Sequence, residues 1–291
     1  MATTETFRRS APVSTVLNDL LLYVATFLFG AVFGSFLNVC IYRIPREESI
    51  AFPPSHCTVC GHKIKFYNNI PVLSYLLLGG KCADCKSGIS AVYPFVEILS
   101  GLLLLLTVYT FGLTIKTLFY AVFIYALLVI TFIDLKHMII PNIISLPGIV
   151  AGLAFNALIT DWQHSRDVIE GATMSLGSFF GLLNEVPFLD SVFGAVLGGG
   201  VLLLIAFLYE VIRKREGMGM GDVKLLAMIG AFIGVQGVVF VIFLSSILGT
   251  VVGISVILYK RGDFKYALPF GPFLSVASVI YIFTGGFSLQ I

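Results

Sequence analysis

Apolar stretches divide this chain so regularly that the membrane decides most of what it can become. They fall at residues 17–42, 92–111, 117–133, 142–160, 188–212, 223–236, 238–259 and 268–285. A hydrocarbon core of about 30 Å is crossed by about 20 helical residues. Inside it every backbone group needs a partner within the protein, which leaves the helix as the form such segments take. Only 12% of the 291 residues are charged and 58% are hydrophobic, against about 25% charged in an ordinary soluble domain. The expected fold class is therefore an all-α polytopic membrane protein with about eight transmembrane helices. The division between the sixth and seventh spans rests on Val235-Gln236-Gly237, a slight break in a nearly continuous apolar run.

The polar segments between the spans set the expected organisation. Residues 1–15 form a polar N-terminal tail, expected to be poorly ordered, and 16–45 the first span. Arg8-Arg9 before an apolar run can mark a signal peptide, but this run is too long for an h-region and lacks an Ala-x-Ala site, so it reads as a retained span. Residues 46–90 form the one sizeable polar insertion, and 91–291 the remaining membrane domain. The connection from Asp161 to Pro187 is semi-polar, with Trp162 suited to an interface, and is expected to carry an interfacial helix. With the 43–90 loop in the cytoplasm, alternation of eight spans puts fourteen of the eighteen Lys and Arg residues on that side. Only Arg8, Arg9, Lys116 and Arg166 fall opposite, which is the asymmetry of the positive-inside rule. Both termini are then outside the cytoplasm. No basic cluster interleaves with aromatic residues, so no nucleic-acid partner is expected, and the membrane lipid itself is the surrounding medium.

The 46–90 loop holds four of the five cysteines, as Cys57-Thr58-Val59-Cys60 and Cys82-Ala83-Asp84-Cys85, with 21 residues between the pairs. Two such pairs suit a tetrahedral four-cysteine zinc site. Paired disulfides are the alternative, disfavoured in a reducing cytoplasm. His56 and His62 are possible substitute ligands or simply solvated neighbours. The metal would be structural, because a loop this size with one apolar run, 72–78, cannot build a sufficient core. Cys40, inside the first span, reads as a small buried apolar residue.

Two carboxylates fall at span ends. The third span closes on Ile133-Asp134-Leu135-Lys136-His137, and the sixth opens after Gly217-Met218-Gly219-Met220-Gly221-Asp222. Those spans run in opposite directions, so Asp134 and Asp222 share the cytoplasmic edge of the membrane. Alternating glycines let another chain approach closely. Two carboxylates in one partly desolvated site share a proton. One then activates water while the other polarises a peptide carbonyl, a route to hydrolysis without a covalent intermediate. Each aspartate also has a plain structural reading: a pair with Lys136 or a cap near Pro141 for Asp134, a helix cap or a pair with Lys224 for Asp222. His137, Glu97 and Glu210, also near span ends, suit interfacial positions.

Together these residues carry a family resemblance. Gly34-Ser35-Phe36-Leu37-Asn38-Val39 with Arg43-Ile44-Pro45 resembles the opening motif of bacterial type IV prepilin peptidases. The two cysteine pairs, Asn69-Ile70-Pro71-Val72-Leu73-Ser74-Tyr75, Tyr93-Pro94-Phe95-Val96-Glu97, Ile133-Asp134 with Ile140-Pro141-Asn142, the segment 217–225 and Pro269-Phe270-Gly271-Pro272-Phe273 continue it. The likeness runs from about residue 30 to 275, and Val92 departs from it where the family usually has arginine. It implies an aspartic membrane protease of the G-x-G-D class in the bacterial inner (cytoplasmic) membrane, its active site facing the cytoplasm, with Asp134 and Asp222 as the catalytic pair. It further implies cleavage of the leaders of type IV prepilins and type II secretion pseudopilins. The cysteine loop marks the long form, which also methylates the new N-terminal residue with S-adenosylmethionine. Glu47, Tyr93 and Glu97 are the candidates for the methyl-donor site, while Asn38 and Arg43 can equally steady the exit of the first span. Two alternatives remain: a carboxylate-based transporter, which would place its acids near the bilayer midplane, and an assembly scaffold whose zinc loop docks partners.

Overall fold

In the computed structural model, residues 13–161, 185–213, 219–259 and 268–284 are described, with Gly181 and Leu183. The tail before Val13, the connection beyond Asp161 with its expected interfacial helix, Trp162 and Arg166, the segment 214–218 with Gly217 and Met218, and the basic residues Lys260, Arg261 and Lys265 lie outside the described residues.

Among the described residues the regular elements are helices, and the 47–91 loop is otherwise turns and coil with two isolated β-bridges. The helices are α1 (Val13–Arg43), α2 (Leu73–Leu77), α3 (Val92–Phe111), α4 (Ile115–His137), α5 (Asn142–Ile159), α6 (Pro187–Arg213), α7 (Met220–Tyr259) and α8 (Gly271–Phe283), with 3-10 turns at Ile44–Arg46 and Phe66–Asn69. Six of these helices are long and apolar enough to cross a membrane, and α8 is apolar but shorter, at 13 residues. The protein is a multi-pass membrane protein.

Helix α7 combines two expected spans. As one straight rod its 40 residues would extend about 60 Å, twice the hydrocarbon thickness. It is broken at Gly234, where φ is 71° and ψ −171°. The two arms, α8 and the other five long helices give the eight apolar segments expected. The break falls just before Val235-Gln236-Gly237 rather than within it.

The chain divides into two compact units, Met1–Val39 with Ala51–Thr117, and Cys40–Ile50 with Leu118–Ile291. In the first, α1 and α3 meet through small residues. A Cβ on Gly30 would lie 2.8 Å from the Gly101 Cα, and one on Gly34 2.7 Å from the Glu97 Cα. The Ser100 hydroxyl donates to the Gly30 carbonyl at 2.9 Å. Lipid tails give apolar side chains no reason to seek one another, so close backbone approach and hydrogen bonds hold such helices together.

The second unit repeats the device twice against the first arm of α7. Gly148 and Gly152 of α5 pack on Met228 and Ala231, and Gly194 and Gly198 of α6 on Gly230 and Leu226. A Cβ on Gly152 would stand 2.8 Å from the Ala231 carbonyl carbon. The ring of Phe232 stacks on Phe123 of α4, centroids 4.2 Å apart. Leu225, Leu226, Met228, Ile229 and Ala231 are wholly buried, so this arm is the core of its unit.

Gly198→Val therefore drives a branched side chain into the Leu226 backbone, whereas Gly200 in the same helix faces open space. The expected cost of Gly198→Val is about 1–3 kcal/mol or more, read as a lowered thermal midpoint in detergent, with Gly200→Val unchanged.

Candidate active site

Asp134 stands in the last turn of α4 and Asp222 in the first turn of α7. A negative charge suits the N-terminal end of a helix and is unfavourable at the C-terminal end. Asp222 is thus supported by its own helix. Asp134 is not, and it finds its donor elsewhere: Oδ2 accepts the backbone N–H of Gly271, the first residue of α8, at 3.1 Å. That bond satisfies one of the free N–H groups every helix start presents. Asp134 is only 4% exposed.

The two carboxylates lie close enough to act on one another electrostatically. Ile140 helps set their neighbourhood. Met138, at φ 54°, turns the chain out of α4, and the Ile140 side chain then reaches both Gly221 and Gly271. A Cβ on Gly221 would be 2.9 Å from Ile140 Cβ, and one on Gly271 3.4 Å from Ile140 Cδ1 and 2.6 Å from Asp134 Oδ2. Glycine is required at both places by close approach. Lys224 Nζ donates to Asn142 Oδ1 at 2.9 Å, and Lys136 is exposed. The ion-pair readings of the two aspartates lose their partners. His137 Nε2 is buried with no hydrogen-bond partner among the described residues, and Glu210 is exposed.

The first unit places other predicted residues. Tyr93 and Glu97 are one turn apart on α3. The Tyr93 carbonyl accepts from Asn38 Nδ2 at 3.0 Å. Glu97 Oε2 accepts the Val72 N–H at 2.8 Å, and the Glu97 carboxylate also meets the Ser35 hydroxyl. Val72 sits at φ 60°, ψ −49°, the centre of a γ-turn closed by the Leu73 N–H on the Pro71 carbonyl. A branched residue in that conformation is strained, and the Glu97 bond holds it there. Glu47, exposed and at φ 58°, caps the turn after Arg46 in the other unit. There Arg43 donates from Nη1 to the Ser49 carbonyl at 2.8 Å.

The four loop cysteines converge. Their Sγ atoms all lie within 4.8 Å of one another, with Cys57 and Cys85 at 3.9 Å. A zinc–sulfur distance of about 2.3 Å requires tetrahedron edges of about 3.8 Å. Each pair forms the same knuckle. Cys57 N–H bonds the His62 carbonyl and Gly61 N–H the Cys57 carbonyl, as Cys82 N–H bonds Ser87 and Lys86 N–H bonds Cys82. Gly61 and Lys86, each following the second cysteine of its pair, share positive φ. Backbone N–H groups of Cys60 and Val59 bring the Cys57 thiol down to about 6, while Cys60 in the same cluster is pushed up to about 12, so the four thiols share charge unevenly. All five cysteines are free thiols, and neither His56 nor His62 belongs to the cluster. The donor set fits a structural tetrahedral metal.

Both aspartates and all four cysteines were named from the sequence. Gly271 and Ile140 entered there only as motif letters, without their contact with the pair.

Residues 121–254 match the Type IV leader peptidase family, and residues 28–111 match the bacterial peptidase A24 N-terminal domain. A prepilin leader peptidase/N-methyltransferase of Pseudomonas putida is 35% identical over 280 residues, 89% of each chain. Those of Aeromonas hydrophila and Pseudomonas aeruginosa are 35% identical over 289 residues (91% of each) and 32% identical over 291 residues (92% of each). No solved structure matches.

Two outcomes follow from the geometry. Gly271→Ala must displace the Asp134 carboxylate from the Gly271 N–H, so any reaction carried by the pair should slow about 100-fold and the thermal midpoint should fall. Purified protein should carry one zinc per chain by metal analysis, and Cys57→Ser or a strong chelator should remove it and expose the loop to proteolysis.

Proposed function

This chain belongs to the type IV leader peptidase family, and we propose that it removes the leaders of type IV prepilins and type II secretion pseudopilins and methylates the N-terminus so exposed. The observation that carries the reading is the convergence of two helix ends, where Ile140 packs against both Gly221, beside Asp222, and Gly271, whose N–H holds Asp134. Both acids lie in terminal turns of their helices, as the peptidase reading requires and the midplane transporter reading does not. The clustering of basic residues in alternate loops supports a site facing the cytoplasm, where the leader lies.

Hydrolysis by such a pair needs one proton between two carboxylates. The unprotonated member takes a proton from water as the oxygen bonds to the scissile carbonyl carbon, and the protonated member donates to the carbonyl oxygen. Collapse of the tetrahedral species breaks the C–N bond and returns a proton to the leaving amine. The Gly271 N–H fixes the orientation of Asp134 throughout. Burial of Asp134 limits competition from bulk water.

Methyl transfer belongs, on this reading, to the first unit with its cysteine loop. A zinc held by Cys57, Cys60, Cys82 and Cys85 would shape the loop and supply no chemistry to the transfer itself. S-adenosylmethionine supplies the methyl group as a sulfonium cation. An aromatic face and a carboxylate suit such a cation, which keeps Tyr93 and Glu97 as candidates and gives the exposed Glu47 the weaker claim.

The test is a cleavage assay with purified protein and a prepilin, with mass spectrometry of the product's first residue. Asp134→Asn or Asp222→Asn should each reduce cleavage by several orders of magnitude, to a residual single-turnover rate, while leaving methylation of a pre-cleaved pilin intact. Cleavage at the normal rate in either variant refutes the dyad.

A further inference from the structure

The break in α7 is made by two side chains that the peptidase chemistry does not use. At Gly234 the backbone enters a region open essentially to glycine alone. In an unbroken helix the Val235 N–H would donate to the Ala231 carbonyl, four residues earlier. Here the two are parted. The Val235 N–H donates to Asp190 Oδ1, in the first turn of α6, at 2.9 Å. The Ala231 carbonyl accepts from Asn156 Nδ2 of α5 at 3.0 Å. The Val235–Ala231 pairing of an unbroken helix is replaced by two side-chain bonds from two different helices. The Asp190 carboxylate also occupies the space where a side chain on residue 234 would stand. An unmatched N–H or carbonyl in an apolar span is costly, so the break depends on both side chains.

We propose that Asp190 and Asn156 are positioning residues for Asp222. This rests on the reading of Asp222 as half of the catalytic pair. Asp222 and Gly234 belong to one rigid arm, and the arm places the carboxylate about 18 Å from the break along its axis. A slip of one residue would move Asp222 by about 1.5 Å and turn it by about 100°. The glycine contacts of α5 and α6 bring backbones close but have little direction. The bonds to Ala231 and Val235 do have direction, and they pin the far end of the arm, which fixes its register and therefore where Asp222 meets Asp134.

The experiment uses the full chain in lipid nanodiscs, with Asp190→Ala, Asp190→Asn and Asn156→Leu. Three readouts are taken: kcat and KM for prepilin cleavage, methylation of a pre-cleaved pilin, and hydrogen exchange of peptides covering 231–236. For Asp190→Ala and Asn156→Leu, kcat should drop about tenfold or more with KM within about twofold, methylation should persist, and exchange should rise. Asp190→Asn keeps an oxygen acceptor and should stay within about threefold of the parent on all three. Raised exchange with unchanged cleavage overturns the positioning role, as does a parallel loss of cleavage and methylation. Unchanged exchange overturns the latch itself. Should the unaltered protein cleave no prepilin, the family-based reading falls by that result, and exchange alone then decides whether the two side chains hold the break.

Discussion

A backbone N–H or carbonyl inside a bilayer has no water to turn to, and helix starts are where that constraint bites hardest. Two helix starts in the second unit are met by aspartates from other helices. Asp134 accepts the first N–H of α8, and Asp190 accepts the N–H that opens the second arm of α7. Asp134 caps α8 and not the helix start near Pro141, which has no side-chain cap, and a cap of this kind is compatible with a catalytic role. The bond that ties α8 to α4 also fixes one member of the pair in a single orientation.

The same constraint explains the use of glycine. Helices that cannot rely on hydrophobic attraction approach closely enough for backbone contact, at Gly30 and Gly34, Gly148 and Gly152, Gly194 and Gly198. The first arm of α7 lies between two of these surfaces. It carries Asp222 at one end and the exchanged hydrogen bonds at the other. A polar residue within an apolar span is costly, and in this unit Asn156, Asp190 and Asp134 all serve to finish or begin a helix.

Much of this was legible in the sequence, for reasons that can be named. Span length follows from hydropathy, and span parity alone put Asp134 and Asp222 on one side. The cysteine knuckles were legible because ligand spacing is local. What escaped was whatever depends on a neighbour distant in the chain. Gly234 and Gly237 are equally plausible breakpoints by composition, and only Asp190 and Asn156, 44 and 78 residues away in sequence, select the first. Asp190 sat unremarked within Pro187-Phe188-Leu189-Asp190. Gly271 was recognised as part of a motif, but its reason, the carboxylate pressed against its Cα, is a tertiary contact between residues 134 and 271. Glu97 was singled out for methyl transfer, and the strained turn at Val72 that it holds had no sequence signal beyond a proline.

The central claim is that Asp134 and Asp222 work as one chemical unit. A double-mutant cycle on residual single-turnover cleavage tests it most directly. Residues that act together are strongly non-additive, so Asp134→Asn with Asp222→Asn should cleave no more slowly than either single variant. Losses that multiply would mean two independent groups, and would contradict the shared site.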